Sequence, residues 1–179
     1  ICNANTLVRS ARNSDIADLI NNFTIRTPDG FPVAKALSIL TKQNFPRVDG
    51  YKVFLQTIED GLDRNRSHYF FGSDEPTTEL MIKNLKKDYP EIQISGYICP
   101  EFMESDQLVE KYADEIENIN ADIVWVSLGF PKQEMFIDQV KKRIDINSNF
   151  VGIGGVFEWV AGTKKKAPEW VADIGLEWL

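Results

Sequence analysis

Residues 121–128, Ala-Asp-Ile-Val-Trp-Val-Ser-Leu, form a nearly continuous apolar run of strand-forming side chains. Such a strand offers no polar face to water, so it has to be covered on both sides, as strands of a parallel sheet are. Its surroundings repeat the theme. Ser67–Phe71 reads as a strand, Pro76–Tyr89 as a helix opened by proline, and Glu91–Tyr97 as a second strand. Ser105–Asn120 and Pro131–Ile144 read as helices, and Asn149–Ile153 as a further strand. Strand and helix alternating at this spacing imply right-handed βαβ units. The expected class is therefore α/β, a mostly parallel sheet with helices on both faces. Upstream, an extended start at Ile1 precedes helices expected near Ser14–Phe23, Val33–Thr41 and Tyr51–Asp63. With 179 residues and neither repeat nor linker, one domain over 1–179 is expected.

Several function classes are disfavoured. A net charge of −7 argues against a nucleic-acid partner, whose phosphates reward a basic surface. Cys2 and Cys99 lack the spacing of a metal or redox pair and read as free thiols in a reducing compartment. The lone histidine, His68, reads as a surface or satisfied edge residue, so a zinc site or a histidine-based triad is hard to assemble. No apolar run approaches the ~20 residues of a membrane span, and no signal peptide is visible.

In a sheet of this Rossmann-like kind, ligands bind beyond the carboxyl ends of the strands. Three strands end in glycine there: Phe71-Gly72-Ser73, Leu128-Gly129-Phe130-Pro131 and Ile153-Gly154-Gly155. Glycine lets the chain turn sharply and lets backbone amides approach a ligand, and the helix starts beyond suit a diphosphate. A single such glycine reads more readily as a tight turn; three in consecutive units read evenly as tight turns or as a shared ligand crevice. The turns match neither GxGxxG nor a P-loop. Asp74 and Glu75 would repel phosphate from the first, so the turns at Gly129 and at Gly154-Gly155 are favoured. Gly129-Phe130-Pro131-Lys132-Gln133-Glu134 sets polar groups on a helix start, where Gln133 can both donate and accept toward a sugar or uracil edge. Glu134 is read evenly as a ligand contact or a helix-start carboxylate. Asp29, in Thr27-Pro28-Asp29-Gly30, is the leading candidate for a catalytic carboxylate, although Pro-Asp-Gly is by composition more readily a β-turn. Arg47 and Lys35 are candidate partners for a diphosphate, Arg47 the better for its planar fork.

Together these stretches resemble the WecG/TagA/CpsF glycosyltransferase family. The resemblance rests on Asn3-Ala4, Asp29-Gly30, Arg47-Val48-Asp49-Gly50, Gly129-Phe130-Pro131-Lys132-Gln133-Glu134, Gly152-Ile153-Gly154-Gly155, Ala161-Gly162, Lys166-Ala167-Pro168 and Gly175-Leu176-Glu177-Trp178, in that order over nearly the whole chain. It implies transfer of an N-acetylmannosamine-type sugar from a UDP donor to an undecaprenyl-diphosphate-linked acceptor, in teichoic acid, capsule or other surface polysaccharide synthesis. It also implies inversion at the anomeric centre, no metal, Asp29 as base, Asn3 and Gln133 on donor sugar or acceptor, and Arg47 on the diphosphate. The resemblance places the enzyme in the cytoplasm, peripheral on the inner face of the membrane, and leaves room for a homo-oligomer.

Some positions depart from the family pattern. Ile1 stands where a threonine is usual, Lys52 where an acidic residue is usual, and Pro100 where a glycine is usual. They suggest an alternative, a catalytically impaired sugar-nucleotide-binding protein of the same family. Lys164-Lys165-Lys166 precedes a helical pattern with Trp170, Val171, Ile174 and Trp178 on one face, the chemistry of an interfacial helix or else a core-facing one. The family usually continues past Gly-Leu-Glu-Trp into a basic tail, so a C-terminal truncation and weak activity are expected.

Overall fold

The computed structural model describes residues 1–166. They gather into two compact units, one holding Ile1–Val53 with Lys165 and Lys166, the other Phe54–Lys164. The expected helical pattern around Trp170 and Trp178, the Ala167-Pro168 step and the Gly-Leu-Glu-Trp stretch lie outside the described residues.

In the first unit, helices α1 (Ala4–Arg12), α2 (Ser14–Asn21) and α3 (Phe31–Thr41) follow short extended segments. The extended start is confined to Cys2, which pairs in parallel with Pro28. Asn3 and Ala4, expected in an opening strand, instead begin α1. The reason is local: the Asn3 side chain accepts the Thr6 N–H at 3.1 Å, satisfying a donor that a helix start leaves unpaired. Asn13 caps α2 in the same way. Helix α4 (Gly50–Leu62) comes next.

The second unit carries the parallel sheet foreseen from the apolar runs. Strands β1 (Ser67–Gly72), β2 (Gln93–Ile98), β3 (Ile123–Ser127) and β4 (Asn149–Gly152) lie in the order β2-β1-β3-β4, every pairing parallel. Between them run α5 (Glu75–Asp88), α6 (Ser105–Lys111), α7 (Ala113–Glu117) and α8 (Lys132–Arg143), and α9 (Val156–Ala161) follows β4. From β1 the chain steps to one side, to β2. It then crosses back over β1 to β3 and continues outward to β4. Right-handed crossovers therefore put α5 on one face and α6, α7 and α8 on the other. The charged stretch expected as one helix over Ser105–Asn120 is broken at Tyr112, which leaves the helical region (φ −108°, ψ 19°) and packs its ring edge-on against Phe71 at 6.0 Å.

Alternation along β1 sorts the aromatic core into two layers. Phe70 faces Phe54, Trp125 and Phe157, with Phe54 and Trp125 ring centroids 4.8 Å apart. Phe71 faces the other way and stacks on Phe136 of α8 at 4.4 Å. Val124, Trp125 and Val126 are wholly buried, as a strand covered on both faces requires.

His68 is neither at the surface nor on an edge strand. It lies on β1, an inner strand, 1% exposed, where its Nδ1 accepts the Trp125 indole N–H at 3.1 Å. Burial, only partly opposed by the Asp122 charge, lowers its pKa from 6.5 to about 4. The imidazole is thus neutral in the fold and readily protonated once unfolded. Stability from this group is complete above pH 6.5 and is lost as the pH falls through about 4, a swing of about 3 kcal/mol. The drop in unfolding free energy between pH 7.5 and pH 4.5 is therefore expected to be about 2–3 kcal/mol larger for the natural chain than for His68→Asn, measured by urea titration. Equal drops would refute this assignment.

Candidate functional site

Three segments remote in sequence meet in the first unit. The Asp29 N–H donates to the Cys2 carbonyl at 2.9 Å and the Cys2 N–H to the Thr27 carbonyl at 2.8 Å. The Pro28 carbonyl, turned to the other side, accepts the Val48 N–H at 2.9 Å. Each of the three then enters a helix: Asn3 caps α1, Gly30 (φ +84°) opens α3, and Asp49 precedes α4. Thr27–Gly30 is consequently a strand-like segment running into a helix rather than a β-turn. The arrangement brings the half-buried Asp29 beside Asn3 and the Arg47–Asp49 segment.

Asp49 belongs to the Arg47–Gly50 motif but drew no role from it, although an Asp-Gly pair before a helical pattern is a cap signal. Its carboxylate is 8% exposed. It accepts the Tyr51 N–H at 2.9 Å, the Arg47 guanidinium at 3.2 Å and the Lys166 ammonium. Burial alone would raise its pKa, but Lys166, the Tyr51 amide and Arg47 outweigh that and hold it below the ordinary carboxylate value. Lys166 also lies over the Tyr51 ring, 4.6 Å from its centroid. Arg47 and Lys166 thus form a cationic pair oriented around one carboxylate. Lys35, the weaker phosphate candidate, sits on α3.

The second unit holds the glycine-ended turns. Connections leave β1 and β3 toward opposite sides of the sheet, so the crevice beyond their carboxyl ends is a topological switch point, the usual ligand site of open parallel sheets. Gly72 serves the sheet itself. At φ +125°, a Cβ on it would stand 2.2 Å from the Ser127 carbonyl oxygen of the neighbouring strand. Asp74 caps α5 by accepting the Thr77 N–H at 2.8 Å. Gly129 (φ +77°) and Gly154 (φ +58°) differ, because a Cβ on either would meet nothing within 4 Å. These two turns need glycine for their backbone conformation and have open space beside them.

The β3–α8 turn runs through a cis Phe130–Pro131 peptide into α8. Gln133 and Glu134, expected to face the crevice, are 4% and 6% exposed. The Gln133 Oε1 accepts the Gly154 N–H at 3.0 Å, and its Nε2 donates to Glu134 Oε1 at 2.8 Å. Ser127 Oγ donates to the Gly154 carbonyl at 2.6 Å. Gly155 abuts Glu158, itself paired with Lys164 at 2.5 Å. Lys132 alone of the Pro-Lys-Gln-Glu stretch carries a charge outward, its ammonium 3.7 Å from the centroid of the 94%-exposed Phe102 ring. A separate groove between Gly61, Arg64, Arg66 and Asn149 opens at the amino ends of the strands. The Arg66–Asp122 pair there, at 2.5 Å, ties β1 to β3, and the groove lies away from the carboxyl edge.

Among the described residues, no cluster of three His, Cys, Asp or Glu is placed to hold a metal ion, and no helix is long and apolar enough to cross a membrane.

A parallel sheet in the order β2-β1-β3-β4, with its switch point between β1 and β3, is that of a Rossmann-like α/β protein. More particularly, the chain belongs to the glycosyl transferase WecG/TagA/CpsF family, whose model matches residues 1–179. It is 27% identical over 167 residues to a Bacillus subtilis protein named N-acetylglucosaminyldiphosphoundecaprenol N-acetyl-beta-D-mannosaminyltransferase, covering 93% of this chain and 63% of that protein. A Bacillus spizizenii protein of the same name is 30% identical over 155 residues, 85% of this chain and 57% of that one. A Staphylococcus aureus protein of that name is 27% identical over 165 residues, 90% and 62% of the two chains. This chain spans about three fifths of the length of these relatives.

Proposed function

We propose that this chain is the donor-binding and catalytic part of an inverting glycosyltransferase. It moves an N-acetylmannosamine-type sugar from UDP to an undecaprenyl-diphosphate-linked acceptor in cell-surface polysaccharide or teichoic acid synthesis. The observation carrying the reading is the convergence of Asn3, Asp29 and the Arg47–Asp49 segment at the ends of adjoining extended segments. The names of the relatives, which specify a mannosaminyl group and a lipid diphosphate acceptor, supply the substrate classes.

In the proposed reaction Asp29 takes the proton of the acceptor hydroxyl as its oxygen attacks the anomeric carbon. The bond to the UDP oxygen breaks on the opposite side, so the centre inverts and UDP leaves as the anion. Within the second unit, the amides of the Gly129 and Gly154-Gly155 turns and the Lys132 ammonium are the groups suited to a diphosphate; within the first, Arg47 is the candidate cation. These groups stabilise charge without a metal or other cofactor. Asn3 holds donor sugar or acceptor. Lipid-linked acceptors require the enzyme to visit the cytoplasmic membrane surface peripherally.

A thermal-shift screen against UDP, UDP-N-acetylmannosamine, UDP-N-acetylglucosamine and UDP-glucose tests the donor. Ligand at a hundred times its Kd stabilises the fold by about 2.7 kcal/mol, several degrees in Tm. We expect UDP and one UDP-amino sugar to produce that shift. No shift with any of the four would overturn the reading, and binding without transfer to a lipid diphosphate acceptor would favour the impaired-binder alternative.

A further inference from the structure

Both ends of the Gly154 peptide unit are tied to the β3–α8 segment: its N–H to Gln133 Oε1 and its carbonyl to Ser127 Oγ. A buried primary amide can flip, exchanging its oxygen for its nitrogen, and a flipped Gln133 would present N–H groups to the Gly154 N–H. What selects the working orientation is the neighbour at the nitrogen end, Glu134, whose Oε1 takes a hydrogen bond that only the Nε2 group can give. Gly152 clears the space for this arrangement, since a Cβ there would stand 2.9 Å from Gln133 Nε2 and 3.1 Å from its Cδ.

We propose that Glu134 is a positioning residue: it fixes Gln133 so that the β4–α9 turn at Gly154 is locked to the β3–α8 turn in the geometry that receives the diphosphate. Glu134 does not touch the ligand in this scheme and acts only through Gln133. Retaining a carboxyl here has a cost, because its other oxygen, Oε2, is buried without a hydrogen-bond partner and burial raises the pKa of the group, against the opposing pull of the Gln133 hydrogen bond. A position serving packing alone would be better filled by an apolar side chain.

The role of the diphosphate rests on the functional reading above, whereas the locking of Gly154 does not, and two measurements separate them. The first is amide hydrogen exchange of the ligand-free chain. Glu134→Leu is expected to speed exchange at the Gly154 N–H at least about tenfold relative to Ile153, whose N–H bonds the Val126 carbonyl at 3.0 Å. Glu134→Gln, which keeps an oxygen for the Gln133 N–H, is expected to leave that ratio unchanged. Gly152→Ala should mimic Glu134→Leu by displacing the Gln133 amide, and supplies a second route should the leucine variant fold poorly. The second is UDP affinity by calorimetry: about tenfold weaker for Glu134→Leu, the worth of one ordered hydrogen bond, and unchanged for Glu134→Gln. Exchange that rises equally at Gly154 and Ile153, or equally in the glutamine and leucine variants, overturns the proposal. If the natural chain does not bind UDP while the exchange pattern appears as expected, the locking stands and the functional reading falls.

Discussion

Asp29→Asn is expected to lower the rate of sugar transfer by about 10²–10⁴-fold while leaving UDP affinity within about twofold of the natural chain. Asparagine matches aspartate in size but cannot take a proton from the acceptor hydroxyl. Its backbone would keep the Asp29 hydrogen bond to the Cys2 carbonyl, so the parallel bridge and the start of α3 should persist. Transfer from a labelled UDP-sugar to a lipid diphosphate acceptor, beside calorimetric UDP binding, reads the two effects separately. Transfer at the natural rate would remove Asp29 from the chemistry. Loss of binding together with transfer would make it a structural residue of the helix junction.

The largest expected effect on folding comes from Gly72→Ala. At φ +125° an alanine is strained, and its Cβ would fall 2.2 Å from the Ser127 carbonyl oxygen and 2.6 Å from its carbon, both backbone atoms of a central strand. Neither can yield without breaking the β1–β3 pairing, in which Gly72 stands opposite Ser127. We expect a loss of about 4 kcal/mol or more, a large fraction of the stability of an ordinary domain. Gly129→Ala is the control. It shares a positive φ, +77°, but has open space around the Cβ, so about 1–2 kcal/mol of backbone strain is all it should lose. Urea unfolding of the two variants measures the contrast, and similar losses for both would contradict the steric assignment.

Much of the second unit was legible because its signals are local. A continuous apolar run such as Ile123–Ser127, short and bounded by turn signals, suits a doubly covered strand. Helices α5 and α8 announced themselves by periodicity and proline at the helix start, whereas the six-residue α9 after β4 is too short to show a period. The family motifs likewise lie in contiguous stretches. Less legible was whatever depends on contacts distant in sequence. His68 looked like an edge residue because nothing in its own segment reveals Trp125, its partner 57 positions on. Gln133 looked like a ligand contact because its type and its place on a helix start suit one; its bond to the Gly154 amide, 21 positions away, is a tertiary fact. Asp29 illustrates the same limit from the other side. Pro-Asp-Gly by itself favours a turn, and only pairing with Cys2 and Val48 makes it the end of a strand-like segment beside Asn3 and Arg47. The split of the charged stretch at Tyr112 also has a tertiary setting, the packing of that ring on Phe71.

The proposed site for the diphosphate of a uridine nucleotide is the pair of turns after β3 and β4, joined through Gln133. Titrating UDP into the isotope-labelled protein while following backbone amide resonances tests it most directly. Saturable shifts should be largest between Gly129 and Gln133 and around Gly154 and Gly155. Shifts centred instead on the groove of Gly61, Arg66 and Asn149, or no saturable shift at all, would contradict it.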